Sequence, residues 1–143
     1  MLDTTQYPPE LMHKYPHMFP LDKIVWNKFL AKYSGQYLNF MYDVTCGIQA
    51  EMQPDWNSST KKDAAILSKL RIDAVGETPG FIDIIEVKPR GNMSAIGQLL
   101  TYENHYIKEY QPIKPTRKVL VCEEIDPNIA EICDNNKIIY MVV

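Results

Sequence analysis

The sequence predicts an α/β fold, with one mixed β-sheet flanked by helices. Residues 36–46, QYLNFMYDVTC, alternate apolar and polar as a half-buried strand does. Residues 64–75 and 81–88 form a hairpin around the turn GETPG. Helix- and strand-type segments then alternate to residue 143, which calls for a strand–helix–strand crossover. A chain of 143 residues fits one domain with a single core.

Residues 6–20, QYPPELMHKYPHMFP, carry four prolines among aromatics. Proline density excludes one long helix and predicts an extended arm that packs on the domain or docks a partner. His13 and His17 have the i, i+4 spacing of helical metal ligands, but Pro16 between them argues against a shared helical face. The arm is expected over residues 1–19 and a single domain over residues 20–143. Asp22 suits an N-cap, and Ile24, Val25, Phe29 and Leu30 recur at helical spacing to about Tyr33, where Gly35 ends the helix.

The alternation at 36–46 puts Leu38, Phe40, Tyr42, Val44 and Cys46 on one strand face. Residues 53–63 form a polar loop before the hairpin. Past the hairpin, residues 94–110 form a helix whose buried stripe is expected at Ile96, Leu99, Leu100 and Ile107. Pro112 and Pro115 break the chain. Residues 117–122 are a strand, Asp126 and Pro127 start a short helix as N-cap and N1, and residues 137–143 close as a strand.

Composition bounds the function. Hydrophobic residues make up 45% and charged residues 23%, as in ordinary globular chains, and no run approaches the roughly 18 apolar residues of a membrane span. No signal peptide is visible, which predicts a cytoplasmic protein. Cys46, Cys122 and Cys133 are odd in number and lack CxxC spacing, so they are expected as buried, reduced thiols. A net charge of −3 excludes tight nucleic-acid binding by bulk electrostatics. Any such contact must be local, metal-assisted or shared with a partner.

The chemistry gathers on the hairpin. Period two puts Glu86 and Lys88 on one strand face and Val87 on the other. Pro89, Arg90 and Gly91 then carry the backbone away from the sheet. Asp73, in an otherwise apolar run, falls near Glu86 if the hairpin pairs across its turn. Two converging carboxylates repel unless a cation lies between them, and a hard divalent ion with oxygen ligands fits. A metal with a lysine beside it suits phosphodiester cleavage. Gln98 and Tyr102 stand one turn apart on the following helix, and Arg90 and Asn92 lie in the loop before it, placed for phosphate contact.

Asp73, then Glu86-Val87-Lys88, then Gln98 and Tyr102, in the runs RIDAV, IIEVKPR and AIGQLLTY, resemble the PD-(D/E)XK nuclease superfamily, in its branch with a QxxxY helix. The resemblance covers about residues 20–143. It implies a restriction-endonuclease-like core and a magnesium- or manganese-dependent deoxyribonuclease. Asp73, Glu86 and the Val87 carbonyl would be metal ligands, Lys88 the catalytic lysine, and Gln98 and Tyr102 supports of the site or the DNA strand. Ile72 stands where the family often has proline, and Pro54-Asp55, in a polar loop, is a decoy. Many members carry an acidic residue on the first helix, where this chain offers only Asp22, with Glu10 upstream. His105 is a surface residue or a proton carrier beside Tyr102. The roles implied are DNA processing in a phage, repair or recombination. The alternative is the same fold reused without catalysis as a binding or assembly component of a larger complex such as a phage particle, with the arm joining copies or partners.

Overall fold

The computed structural model describes residues 5–48, 54–61 and 70–143. Helix α1 spans Pro20–Tyr33 and ends in a 3-10 turn, Ser34–Gln36. The strands are β1 (Asn39–Cys46), β2 (Leu70–Glu77), β3 (Ile82–Val87), β4 (Arg90–Gly91), β5 (Thr116–Cys122), β6 (Glu124–Ile125) and β7 (Ile138–Val142). Helix α2 is Met93–Tyr110 and helix α3 is Pro127–Asn135. Five strands form the main sheet in the order β1-β2-β3-β5-β7, while β4 and β6 pair separately. The first three strands are antiparallel and the last three parallel, so the sheet is mixed as expected. No helix among the described residues is long and apolar enough to cross a membrane.

Two cores flank the sheet. Val25, Trp26, Phe29 and Leu30 of α1 pack on Phe40, Tyr42, Ala74, Ile85 and Val87. Ala95, Ile96, Leu99, Tyr102 and Tyr106 of α2 pack on Val44, Ile72, Val75, Ile84 and Leu120, with Cys133 of α3. All three cysteines are buried.

Several local expectations need correction. Helix α1 begins at Pro20 with Phe19 as its N-cap, so Asp22 lies inside the first turn; proline's fixed φ suits N1 and moves the start three residues upstream. Ile24 is exposed. Leu38 precedes β1 and is 54% exposed. Leu100 and Ile107 are exposed because the stripe of α2 turns toward Tyr102 and Tyr106, whose rings reach deeper over the sheet. Within the polar loop, residues 58–61 are helical. Gly76 and Glu77 belong to β2, and the turn itself is closed by Thr78, whose N–H and hydroxyl both donate to the Phe81 carbonyl. Residues 64–69, expected in the second strand, lie outside the described residues.

The arm packs on its own domain. Tyr7 exchanges both backbone hydrogen bonds with Phe40, extending the free edge of β1. Tyr15 is buried, and its hydroxyl donates to Asn27 Oδ1 at 2.7 Å. His13 and His17 share no helix. His17 sits in the left-handed region (φ 53°) in the turn before α1.

Candidate active site

One irregularity in the sheet builds the site. Asp43 and Asp73 face each other between the pairs Tyr42↔Ala74 and Val44↔Ile72. Asp43 has a left-handed backbone (φ 51°), a conformation that aspartate tolerates better than most residues. At this point both strands change sides: Tyr42 and Ala74 belong to the α1 core, Val44 and Ile72 to the α2 core. Asp73 also stands one step beyond the last regular pair of β2 with β3, Ala74↔Ile85, which sets it opposite Glu86. Its Oδ2 accepts the Val87 N–H at 2.8 Å, so a side chain continues the ladder where backbone pairing stops.

The hairpin therefore brings Asp73, Glu86 and Lys88 together, as the sequence predicts. The two carboxyl groups are close enough to hydrogen-bond each other when one is protonated. Lys88 Nζ stands 3.6 Å from Glu86 Oε1. The other oxygen, Glu86 Oε2, is buried and has no hydrogen-bond partner among the described residues. Burial raises the pKa of both acids. Val87 and Lys88 oppose the rise at Asp73, whereas the Asp73 charge adds to it at Glu86, which moves further.

These groups open into a cleft of about 510 Å³, lined also by His17, Phe19 and Asp22. Asp22, set aside at the sequence level as a helix cap, lies near enough to raise the pKa of Asp73 and to feel Lys88. Its own pKa is raised by burial. Its place three residues into a proline-started helix was the available signal. His17, second in an unhelical pair, is held by its Nε2 at 3.3 Å from Asp43 Oδ2. Arg71 grips that same Asp43 through two bonds of 2.7 and 2.6 Å.

The remaining predicted residues divide. Arg90 and Asn92 line the cleft, Arg90 anchored in β4. Asn92 is also the N-cap of α2, its Oδ1 accepting the Ala95 N–H at 3.0 Å. Gln98 Nε2 donates to the Tyr102 hydroxyl at 3.2 Å. Gln98 Oε1 is a second buried oxygen without a partner among the described residues. Burial raises the Tyr102 pKa, with Glu86 and Asp73 adding to it, so this phenol stays protonated beside the acids. Val87 is buried, with its side chain in the α1 core. His105 lies on α2 and does not line the cleft.

Among the described residues, no three His, Cys, Asp or Glu side chains are grouped to hold a metal by themselves. A site here would draw on two carboxylates and the Val87 carbonyl. The donor chemistry fits a hard divalent ion: the acids are hard oxygen donors, and the orphaned Glu86 Oε2 is an acceptor that a cation would satisfy. Comparison with protein-family models, curated proteins and solved structures finds no match for this chain.

Proposed function

We propose that the chain is a divalent-cation-dependent deoxyribonuclease that hydrolyses phosphodiester bonds, on a sheet equivalent to a restriction-endonuclease core. The observation that carries this reading is the convergence of Asp73, Glu86 and Lys88 on one cleft with Glu86 Oε2 unpartnered. Asp73, Glu86 and the Val87 carbonyl would hold magnesium or manganese, which supplies Lewis acidity toward the phosphate and lowers the pKa of bound water.

The chain's own groups do the rest. Lys88 holds a positive charge where the phosphorane oxygens develop theirs, and a preorganised charge there lowers the barrier. Its proximity to Glu86 keeps the ammonium in the cleft rather than in solvent. Arg90 offers two geminal donors to a neighbouring phosphate. The Gln98–Tyr102 pair lies on α2 behind the cleft lining and keeps a neutral phenol near the two acids, which repels no phosphate. Asp73 and Glu86 exclude a phosphate electrostatically until a cation offsets them, so substrate binding is expected to depend on the metal.

The test is nicking of supercoiled plasmid and of circular single-stranded DNA with magnesium, with manganese and with EDTA, using Lys88→Ala prepared identically. Divalent-dependent nicking lost in the variant supports the reading, and equal nicking by both proteins ends it. A non-catalytic role in a larger assembly is favoured by one fact, the net charge of −3. It is the conclusion if magnesium binds and no strand is cut.

A further inference from the structure

Phe19 is the most exposed aromatic side chain among the described residues, at 74%. The next, Phe81, has the Arg117 guanidinium 4.3 Å over its ring. Phe19 makes no ring contact among the described residues, although the arm's other aromatics, Tyr7 and Tyr15, both lie against Tyr42. A bare aromatic on the rim of two clefts, in a segment that otherwise buries its rings, offers a flat apolar face to a ligand held in either cleft.

Its position is fixed from both sides. Upstream, Met18 N–H donates to the Tyr15 carbonyl at 3.2 Å, and His17 is tethered to the Asp43–Arg71 pair. Downstream, Pro20 opens α1 and holds Phe19 extended (φ −73°, ψ 160°), as a residue before proline must be. Phe19 therefore stands on a turn that loses little entropy when a ligand docks. It borders two clefts, the one holding Asp73, Glu86 and Lys88 and a smaller one of about 290 Å³ between His17, Arg71 and Asp73.

Resting on the nuclease reading of that cleft, we propose that Phe19 is a stacking platform for a nucleobase beside the phosphate held at Asp73, Glu86 and Lys88, and that the substrate is therefore an unpaired DNA strand. A phosphate in the cleft leaves its flanking base within the reach of a ring at the cleft wall, and every base offers a π-face irrespective of sequence. In a duplex the base faces are covered by their neighbours, so an internal duplex base cannot meet the ring without unstacking. The low overall charge agrees with this, because stacking supplies affinity that a basic surface would otherwise provide.

The experiment is fluorescence anisotropy of the full chain in calcium, with labelled oligothymidylate, the same-length strand made wholly abasic, and a blunt duplex. Wild type is expected to bind oligothymidylate about tenfold more tightly than the abasic strand. Phe19→Ala should remove that tenfold preference and leave abasic binding unchanged, while Phe19→Tyr restores it. A melting curve for each variant guards against misfolding, and none is expected to shift because the ring is exposed. Equal losses on both single strands, no loss on either, or tighter binding of the duplex than of oligothymidylate by wild type overturns the proposal. Phe19-dependent binding without magnesium-dependent cleavage would retain the platform and end the hydrolytic reading. Cleavage with no coupling between Phe19 and the base would retain the nuclease and end the platform.

Discussion

Removing water from around Glu86 raises the cost of its ionised form, and the Asp73 carboxylate beside it adds repulsion. The folded, metal-free protein therefore binds a proton at this pair more tightly than the unfolded chain does. The sign follows directly. The contribution of this pair to stability is greatest in acid, falls as pH rises above the ordinary carboxylate range near about 4, and levels once the raised pKa is passed. Asp73→Asn keeps an acceptor for the Val87 N–H and removes the repulsion. In EDTA at neutral pH it is expected to match wild type or exceed it by about 0.5–2 kcal/mol, with a shallower loss of stability as pH rises. Magnesium at 100 times its dissociation constant should stabilise wild type by about 2.7 kcal/mol and the variant less. Melting curves in EDTA and in magnesium check all three; a strongly lowered melting point for the variant in EDTA would make Asp73 a structural acceptor instead. On the proposed hydrolysis, Lys88→Ala would remove charge stabilisation at the reacting phosphate, and single-turnover rates should fall about 10²-fold or more.

At the scale of elements, the strand ends away from the site are secured by different groups. Asp83 of β3 is fully buried, receives two bonds of 2.7 and 2.9 Å from Arg117 of β5, and accepts the Tyr37 hydroxyl at 2.7 Å. Arg117→Ala leaves that carboxylate buried with one neutral partner, and urea unfolding should show a loss of about 3 kcal/mol or more. Cleavage per folded molecule should be unchanged, because Asp83 lies toward the start of β3 and Glu86 near its end. Gly76 of β2 tests packing in the same region. A Cβ there would come within 2.6 Å of the Tyr37 ring and 2.8 Å of the Phe40 ring. Both rings are held in the α1 core, so Gly76→Ala should cost about 1–3 kcal/mol by overpacking, read by the same unfolding curve.

For the molecule as a whole, charge sets how it meets a polyanion. The formal net charge is −3, and at the cleft Lys88 and Arg90 stand beside three carboxylates, those of Asp22, Asp73 and Glu86. Two phosphate contacts release few counterions, so the slope of log K against log salt should be near −2 for duplex and shallower for single strands. Titrations between 50 and 200 mM salt, a range wide enough to fix such a slope, would read it. A slope several times steeper would mean a basic surface other than this cleft carries binding.

The order of the main elements was legible in the sequence because period two survives in the apolar pattern of β1 and period 3.6 in that of α1. The pairing of Asp73 with Glu86 was legible for a related reason: a hairpin around a tight turn has little freedom of register, so two acids near equal distances from it meet. Residue type alone also fixed Asp126 and Pro127 at the start of α3, since a cap bond and a proline φ are local properties. Facing was harder. Leu100 and Ile107 satisfy helical spacing as well as Tyr102 and Tyr106 do, and only the sheet beneath decides which pair is covered. The crossover of sides at Asp43 and Asp73 left no periodic mark, because a left-handed aspartate inside a strand is stabilised by Arg71 and His17 from elsewhere in the chain. Asp22 and Phe19 reached the cleft for the same reason. Local sequence determines which segments are helix or strand and which residues a short hairpin sets opposite each other. Contacts between residues far apart in the chain decide which helix face is buried, and which arm and helix residues join the acids, because those choices are made by the competition of surfaces for one another and not by any single segment.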